Sequence, residues 1–253
     1  MTESLEPQSK EHPENILFQE ELSFPSIPSC EHYCGSEKFV KKAYSLQHEL
    51  GPIFDITCDC EDGAATGHEQ DHAIMMADLI NHADNKFKRS GARIHAPSTK
   101  NCKDDIDTLI GISGINLAYL TIPKIDSYDT ANRTIDYIQN RCVAAGIDPI
   151  PIHLIIETQN GLAELEKLAV FKCLETIDFG LLDFISDHRG IVSEEFMQSP
   201  GQFSHHLINQ AKTKLCSVAI RHGIIPTHNP SINFRDLGGC AEDAKMARLN
   251  YGF

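Results

Sequence analysis

Short apolar segments alternate with longer segments of helical periodicity along this chain, and this alternation is the feature that most constrains its fold. The candidate strands are residues 21–27, 52–59, 92–97, 118–124, 152–158, 176–184 and 224–229. Segments in which apolar residues recur every three or four positions lie between and after them, at 36–49, 70–84, 103–111, 128–145, 161–172, 203–221 and 240–250. Such an alternation is typical of a parallel sheet covered by helices.

Two parallel architectures fit this pattern, an open doubly wound sheet and a (β/α)8 barrel. An open sheet usually carries a glycine-rich phosphate loop after its first strand, and the sequence has no such loop. A barrel needs about 250 residues, and the chain has 253. We therefore predict an α/β fold of the TIM (β/α)8-barrel type. Since only seven strand–helix units are present, we expect the last strand and helix to be lacking.

Neither a linker nor a shift in composition divides the sequence. We expect a flexible N-terminal tail over residues 1–20, which are acidic and polar, and a single barrel domain over residues 21–253. The segment from Cys30 to Cys34 has a Cys-x-His-x-Cys pattern, but no second pair of ligands follows at zinc-site spacing. We interpret it as a cysteine-containing loop.

The charge and cysteine content exclude several kinds of partner and location. With 22 Lys and Arg against 36 Asp and Glu, the net charge is −14, which argues against nucleic acid or an anionic membrane as the main partner. No apolar run approaches the roughly 18 residues that a membrane-spanning helix requires. The nine cysteines are odd in number and mostly single within apolar runs, which indicates reduced thiols and a cytoplasmic protein.

Ionisable residues gather where the predicted strands end, which is where barrel enzymes place their active sites. The polar residues at these ends are Asp59, Glu61, Asp62, Arg93, His95, Lys124, Glu157, Asp183, Asp187 and His228, with Asn229 beside it. Carboxylates crowded at one end of a barrel repel one another unless a cation or a basic side chain lies among them. A divalent metal ion is one solution, and ion pairing with a basic side chain is the other.

Glu157 and Asp183 end neighbouring strands and suit Mg²⁺, which prefers oxygen ligands and is often held by one or two carboxylates. Two carboxylates also accept Mn²⁺. Arg93 can bind a substrate carboxylate through two hydrogen bonds. The alternative for Arg93 is an ion pair with carboxylates across the barrel mouth, without a metal.

Histidines offer a general base, and two of them follow strand ends, His95 and His228. For each, a structural role is the alternative. His153 begins a strand, and we expect it to pack or to face solvent. Carboxylates near Lys124 should keep its ammonium group charged, which disfavours a Schiff base.

Five sequence blocks in order carry a resemblance to a known family. They read FDITCDCEDGAATGHE, RIHAPS, LTIPKI, IHLIIETQNGL and IDFGLLDF. In this order they resemble the citrate lyase beta subunit (CitE-like) proteins of the HpcH/HpaI aldolase/citrate lyase superfamily. The first loop, SCEHYCGSEK, departs from the family because Lys38 is its only basic residue near the position that helps to bind coenzyme A.

The resemblance implies a Mg²⁺-dependent carbon–carbon lyase that acts through an enolate on a citryl-, malyl- or citramalyl-CoA-like ester. Arg93 would bind the keto-acid carboxylate, Glu157 and Asp183 the metal, and Glu61 and Asp62 would line the mouth, with Lys124 nearby. An aldolase acting on free 2-keto-4-hydroxy acids is an alternative within this class. A non-catalytic keto-acid-binding or assembly subunit is an alternative outside it. The resemblance also implies a homo-oligomer, a trimer or a hexamer.

Overall fold

The computed structural model describes residues 24–233 and 235–253. In this part of the chain, β-strands and α-helices alternate almost throughout. The strands are β1 (Glu31–Cys34), β2 (Asp55–Asp59), β3 (Ser90–Arg93), β4 (Leu120–Ile122), β5 (Ile152–Ile156), β6 (Leu174–Phe179) and β7 (Ile225–Thr227). The helices are α1 (Glu37–Leu50), α2 (Glu69–Ile80), α3 (Asn101–Ser113), α4 (Tyr128–Ala145), α5 (Gln159–Leu168), α6 (Leu181–Ser186), α7 (His206–Arg221) and α8 (Leu237–Tyr251).

The strands form one parallel sheet in which each strand pairs with the next along the sequence. A doubly wound sheet would instead reverse its strand order partway across. The sheet is also curled, since it brings Oε1 of Glu31 on β1 to 2.7 Å from Nδ1 of His153 on β5, four strands away. The architecture is therefore a seven-stranded curled half-barrel, and among the described residues β1 and β7 do not pair with each other.

Helix α4 shows how closely sequence pattern and structure agree where local signals are strong. Ser127 caps its start by accepting a hydrogen bond from the Thr130 N–H, and Gly146 ends it in the left-handed conformation at φ 68°. Ile135 and Ile138 are buried on one side of the helix, against the sheet. The prediction of residues 128–145 is confirmed.

The central strands are buried on both faces, as expected when helices cover the outside and side chains fill the inside. All residues of β2, β4 and β5 are buried. The interior is unusual for a barrel because several of its buried side chains are polar or ionisable rather than bulky and aliphatic. They include Thr57, Tyr119, His153 and Asp178.

The prediction of the first strand is wrong. Residues 24–27 form no strand, and β1 lies instead at Glu31–Cys34, within the segment that we interpreted as a loop. The pattern missed it because β1 carries polar residues, of which Glu31 is neutralised by His153 inside the sheet. Residues 1–20 and 21–23 lie outside the described residues.

The sixth strand is shorter than predicted. It ends at Phe179, and residues 181–184, which the apolar pattern assigned to the strand, begin helix α6. A run of apolar residues cannot distinguish a buried strand from a buried short helix. This turn places Asp183 on a helix instead of a strand.

Across the described residues, no helix combines the length and apolar character that crossing a membrane would require.

Candidate active site

Loops at the carboxyl end of the sheet bring the predicted site residues together. We call this group the mouth site: Asp59 at the end of β2, Glu61 and Asp62 after it, Arg93 at the end of β3, Lys124 after β4, Glu157 after β5, and Asp183 on α6 after β6. Parallel strands that end at one edge of a curled sheet direct these residues to a common opening.

Arg93 is paired with carboxylates across the mouth. Its Nε and Nη2 donate to the two oxygens of Asp59 at 2.8 and 2.7 Å, and Nη2 also donates to Oδ2 of Asp62 at 2.6 Å. Burial alone would lower the pKa of Arg93, but these carboxylates outweigh it and raise the pKa. These two nitrogens therefore make both ion pairs and hydrogen bonds, as the ion-pair alternative for Arg93 predicts.

The third nitrogen of the guanidinium is different. Nη1 of Arg93 lies 3.0 Å from Oε2 of Glu61, within ion-pair distance. Oε2 accepts no hydrogen bond, so this contact is an ion pair without hydrogen-bond geometry. Among the described residues Nη1 has no hydrogen-bonded acceptor, although a guanidinium offers five N–H donors. The Nη1 edge of Arg93 therefore carries N–H donors that are not used in hydrogen bonds to the described residues.

Lys124 lies between Glu61, which contacts Arg93, and Asp183. Its Nζ donates to Oε1 of Glu61 at 2.7 Å and lies 3.5 Å from Oδ2 of Asp183. Burial alone would lower the pKa of Lys124, but the Glu61 hydrogen bond and charge outweigh it and raise the pKa. The expectation of a charged ammonium agrees with this environment.

The backbone of Lys124 is held in a strained conformation that serves the site. Its φ of 51° lies in the left-handed region, which side chains with a Cβ rarely adopt. In this conformation its backbone N–H donates to Oε1 of Glu157 at 2.7 Å. Strain of this kind persists only where surrounding contacts hold it, and it is common at functional sites.

Glu157 is a buried carboxylate, only 4% exposed. Burial raises its pKa to about 8, and the negative charges of Asp183 and Glu61 add to the rise, against the hydrogen bond from the Lys124 N–H. Gly180 allows this carboxylate to pack closely against the backbone, since a Cβ there would lie only 2.4 Å from Oε2 of Glu157. A cation next to Oε2 would stabilise the ionised form.

These observations fit the ligand set predicted for Mg²⁺. Glu157 supplies a buried carboxylate whose Oε2 accepts no hydrogen bond among the described residues, and Asp183, whose side chain is 47% exposed, supplies a second from helix α6. All donors are oxygens, and the solvent-facing side leaves room for water ligands. The residues present are therefore compatible with Mg²⁺ or Mn²⁺.

Both histidines considered as a general base contact side chains that lie outside the mouth site. Nδ1 of His95 lies 2.7 Å from Oδ2 of Asp105 on α3, which holds the ring against that helix. Nε2 of His228 lies 2.8 Å from Nζ of Lys212, a fully buried lysine that the sequence analysis did not single out. Their contacts favour the structural role for both.

A second ionisable cluster, which sequence reasoning missed, lies inside the sheet. It contains Glu31, His153 and Asp178. His153 does not face solvent, as we had allowed, but is completely buried. The available signal was a run of polar residues at alternate positions of β6 (Thr176, Asp178), which places polar side chains on one face of a buried strand.

Comparison with known proteins agrees with this architecture and site. The model of the HpcH/HpaI aldolase/citrate lyase family matches residues 54–245. The chain belongs to this family, whose members include metal-dependent carbon–carbon lyases. A search of curated proteins finds no match.

Among solved structures, a citrate lyase from Burkholderia xenovorans LB400 is 38% identical, with a TM-score of 0.89, over 93% of this chain and 74% of that one. The citrate lyase beta subunit of Mycobacterium tuberculosis, solved with oxaloacetate and magnesium, is 16% identical, with a TM-score of 0.68 and 89% of each chain covered. The CitE protein of the same organism with magnesium, acetoacetate and coenzyme A is 17% identical, with a TM-score of 0.67 over 90% of this chain and 75% of that one. The two mycobacterial structures share the fold.

Proposed function

We propose that this chain is a Mg²⁺-dependent lyase that cleaves or forms a carbon–carbon bond next to a carbonyl group. Its substrate is a hydroxy-acyl-CoA of the citryl-, malyl- or citramalyl-CoA type. The proposal depends chiefly on the buried Glu157 carboxylate, whose Oε2 accepts no hydrogen bond among the described residues, and on the nearby charge of a second carboxylate, Asp183. The fold family and the 38% identical citrate lyase support the reaction class.

Each group of the mouth site has a distinct task in this proposal. Glu157 and Asp183 hold the ion, which when bound supplies a Lewis acid for a carbonyl oxygen. The Nη1 edge of Arg93 binds the carboxylate of the keto-acid fragment, since its other nitrogens are already fixed by Asp59 and Asp62.

Glu61 and Lys124 position these groups. Glu61 lies between Lys124, at 2.7 Å, and Nη1 of Arg93, at 3.0 Å, and so links the keto-acid side of the mouth to the metal side. The Lys124 ammonium sets the charge next to Asp183. Groups locked in this way need little reorganisation when negative charge develops on the substrate.

The identity of the substrate has one strong alternative, a free 2-keto-4-hydroxy acid without coenzyme A. Lys38 is exposed at the start of α1 and is the only basic residue of the first loop, which disfavours a strong contact with CoA phosphates there. A mycobacterial CitE structure holds coenzyme A together with magnesium and acetoacetate, which favours the ester. Turnover of a citramalyl-CoA-type ester and of the matching free acid, compared side by side, distinguishes the two.

We further propose that the described residues belong to one domain of a (β/α)8-type barrel and that the chain works as a homo-oligomer in the cytoplasm. The continuous sheet supports a single domain, and all nine cysteines are free thiols, which fits a reducing compartment.

The test of the proposed site is the activity of Glu157→Gln and Asp183→Asn variants. Each removes one negative ligand while keeping its shape, and we expect each to lower kcat/KM at least about 10²-fold. Asp187→Asn is the matched control, because this exposed carboxylate accepts a hydrogen bond from the Gln159 N–H. Full activity in either ligand variant, or an equal loss in the control, would overturn the assignment. A folded wild-type chain with no turnover on either substrate class would favour the non-catalytic subunit.

A further inference from the structure

Three ionisable side chains from three strands meet inside the curled sheet, away from the mouth site. We call them the interior cluster: Glu31 on β1, His153 on β5 and Asp178 on β6. His153 is completely buried, and Asp178 is only 7% exposed. Ionisable groups are rarely buried so deeply unless they are paired or bind a metal.

The interior cluster directs three atoms without hydrogen bonds towards one another. Oε1 of Glu31, Nδ1 of His153 and Oδ2 of Asp178 are buried, and none makes a hydrogen bond. One ligand atom from each residue lies within 4.8 Å of the others. Nδ1 and Oε1 are only 2.7 Å apart, but the contact lacks hydrogen-bond geometry. Buried polar atoms are nearly always satisfied, so three together require an explanation.

The remaining oxygens of the two carboxylates are fixed by hydroxyl groups. Thr57 donates to Oε2 of Glu31 at 3.0 Å, and Thr227 donates to Oδ1 of Asp178 at 2.5 Å. Each carboxylate is therefore held by one oxygen and leaves the other free. Outer hydrogen bonds of this kind orient the ligands of metal sites.

The imidazole is fixed in the same way. Nε2 of His153 lies 3.0 Å from Oε2 of Glu175, and since an ionised carboxylate only accepts, Nε2 carries the hydrogen in this contact. The ring also stacks on Tyr119, with centroids 3.9 Å apart. A carboxylate–histidine pair in which the second ring nitrogen is left free is the arrangement that orients histidine towards a metal.

The net charge of the interior cluster also favours a bound cation. Glu31, Glu175 and Asp178 place three carboxylates around one imidazole, so a single proton on His153 leaves an excess of negative charge. Burial raises the pKa of Asp178 to about 6, and the Glu31 charge adds to this rise. A divalent ion among the free atoms would balance the charge and satisfy all three.

We infer that the interior cluster is a second metal site, which binds a divalent transition-metal ion through Glu31, His153 and Asp178. One imidazole nitrogen and two carboxylate oxygens suit Zn²⁺, and also Mn²⁺, Fe²⁺ or Co²⁺. Mg²⁺ suits the mouth site better, because it prefers oxygen ligands alone.

The position of the interior cluster indicates a structural role. The ion would connect β1 directly to β5 and β6, strands that are not its neighbours in the sheet. Because β1 and β7 do not pair among the described residues, a cross-link through the interior would hold the curl of the sheet. Binding to the folded state alone raises thermal stability, so we expect the ion to raise Tm by about 5 °C or more.

The alternative to a bound ion in the interior cluster is a proton on His153. Burial lowers the pKa of His153, but the charge of Glu31 and the hydrogen bond to Glu175 outweigh it and raise the pKa to about 10. In that state the cluster is an ion pair between an imidazolium and carboxylates. The experiment below distinguishes the two states.

The experiment uses the full chain carrying Glu157→Gln and Asp183→Asn, so that the mouth site does not contribute. After treatment with a chelator, Zn²⁺ is added, the excess is removed, and metal content is measured together with the X-ray absorption spectrum of the ion. We expect one Zn²⁺ per chain, with one imidazole and otherwise oxygen ligands, and a higher Tm. The result does not depend on lyase activity, so it can fail while the proposed function stands.

Two further variants of the same protein assign the ion to the cluster. His153→Gln and Asp178→Asn each remove one ligand, and we expect each to weaken Zn²⁺ binding at least about tenfold. Asp178→Asn keeps the shape of the side chain and serves if His153→Gln does not fold. His95→Gln is the matched control, because His95 is also buried against a carboxylate, Asp105. We expect this variant to bind Zn²⁺ as tightly as the protein without this substitution.

Three results would overturn the inference. The first is a folded mouth-site variant that binds no Zn²⁺. The second is Zn²⁺ binding that stays equally tight after Asp178→Asn. The third is sulfur ligands in the absorption spectrum, which would assign the ion to cysteines. In the first case, nitrogen NMR of His153 should show an imidazolium, the state stabilised by Glu31 and Glu175.

Discussion

The mouth site and the interior cluster both gather more carboxylates than basic groups, but they balance the charge differently. In the mouth site, Arg93 and Lys124 lie between the carboxylates and engage most of them in ion pairs. In the interior cluster, one imidazole lies among carboxylates from strands β1 and β6, and three buried atoms of the cluster make no hydrogen bond. The fold therefore balances an excess of negative charge in two ways, with basic side chains at the opening and, in our proposal, with a metal ion inside.

The two regions also differ in the backbone that carries them. Residues of the mouth site lie at strand ends, on loops and on the short helix α6, where a ligand can reach them. The interior cluster lies on strands β1, β5 and β6, whose positions the sheet fixes. In barrels, loops at the carboxyl ends carry the chemistry and the body of the strands carries stability. In our proposals, the same residue types therefore bind substrate and metal at the strand ends and stabilise the sheet within the strands.

Arg93→Lys tests the mouth side of this comparison with the largest expected effect. A lysine keeps the charge but cannot hold Asp59 and Asp62 with two nitrogens while presenting a third to substrate. We expect kcat/KM to fall about 10²-fold, equivalent to about 3 kcal/mol, mainly through KM for the keto acid. The measurement is steady-state kinetics against the keto acid in the direction of bond formation.

The control for this variant is Arg89→Lys. Arg89 also forms an ion pair with one aspartate, Asp55, but it precedes β3 at the opposite end of the sheet. We expect its kcat/KM to remain within a few-fold of the wild type. Equal losses in both variants would mean that general stability, and not substrate binding, accounts for the effect of Arg93→Lys.

A smaller effect is expected in the pH dependence of Mg²⁺ binding. Burial raises the pKa of Glu157 to about 8, so the carboxyl is mostly neutral below that pH and must lose its proton to bind the ion. We expect the apparent Mg²⁺ affinity to rise about tenfold per pH unit up to about pH 8 and to level off above it. Titrations between pH 6 and 9 measure this dependence.

In Glu157→Gln, this pH dependence should disappear together with most of the affinity. An affinity that does not change with pH in the wild-type protein would show that Glu157 is already ionised when the site is empty. It would also remove one contrast with the interior cluster, namely that a buried carboxyl of the mouth site must lose a proton before it binds a cation.

Strong local signals allowed much of the fold to be predicted. Helix α4 agrees with its predicted bounds because its cap, its apolar face and its terminal glycine all lie within the segment itself. Strand β1 could not be predicted, because Glu31 becomes acceptable inside the sheet only through His153, which is more than a hundred residues away. Short-range patterns carry no information on such a contact.

The candidate site, like the fold, could be predicted only in part. The sequence predicted that Arg93, Lys124, Glu157 and Asp183 would meet, because parallel strands end at one edge. It could not predict that two nitrogens of Arg93 are already paired, or that the Lys124 N–H turns to Glu157, since both depend on loop conformation. The unpredicted features decide which atoms remain for a ligand.

The most direct test of the central claim is calorimetric titration of Mg²⁺ into the purified chain and its Asp183→Asn variant, with and without oxaloacetate or pyruvate. If Glu157 and Asp183 form the cation site of the mouth, one Mg²⁺ binds per wild-type chain, more tightly with the keto acid, and binding is lost in the variant. Tight Mg²⁺ binding that is unchanged in Asp183→Asn, or no binding to the folded wild-type chain, would contradict the account.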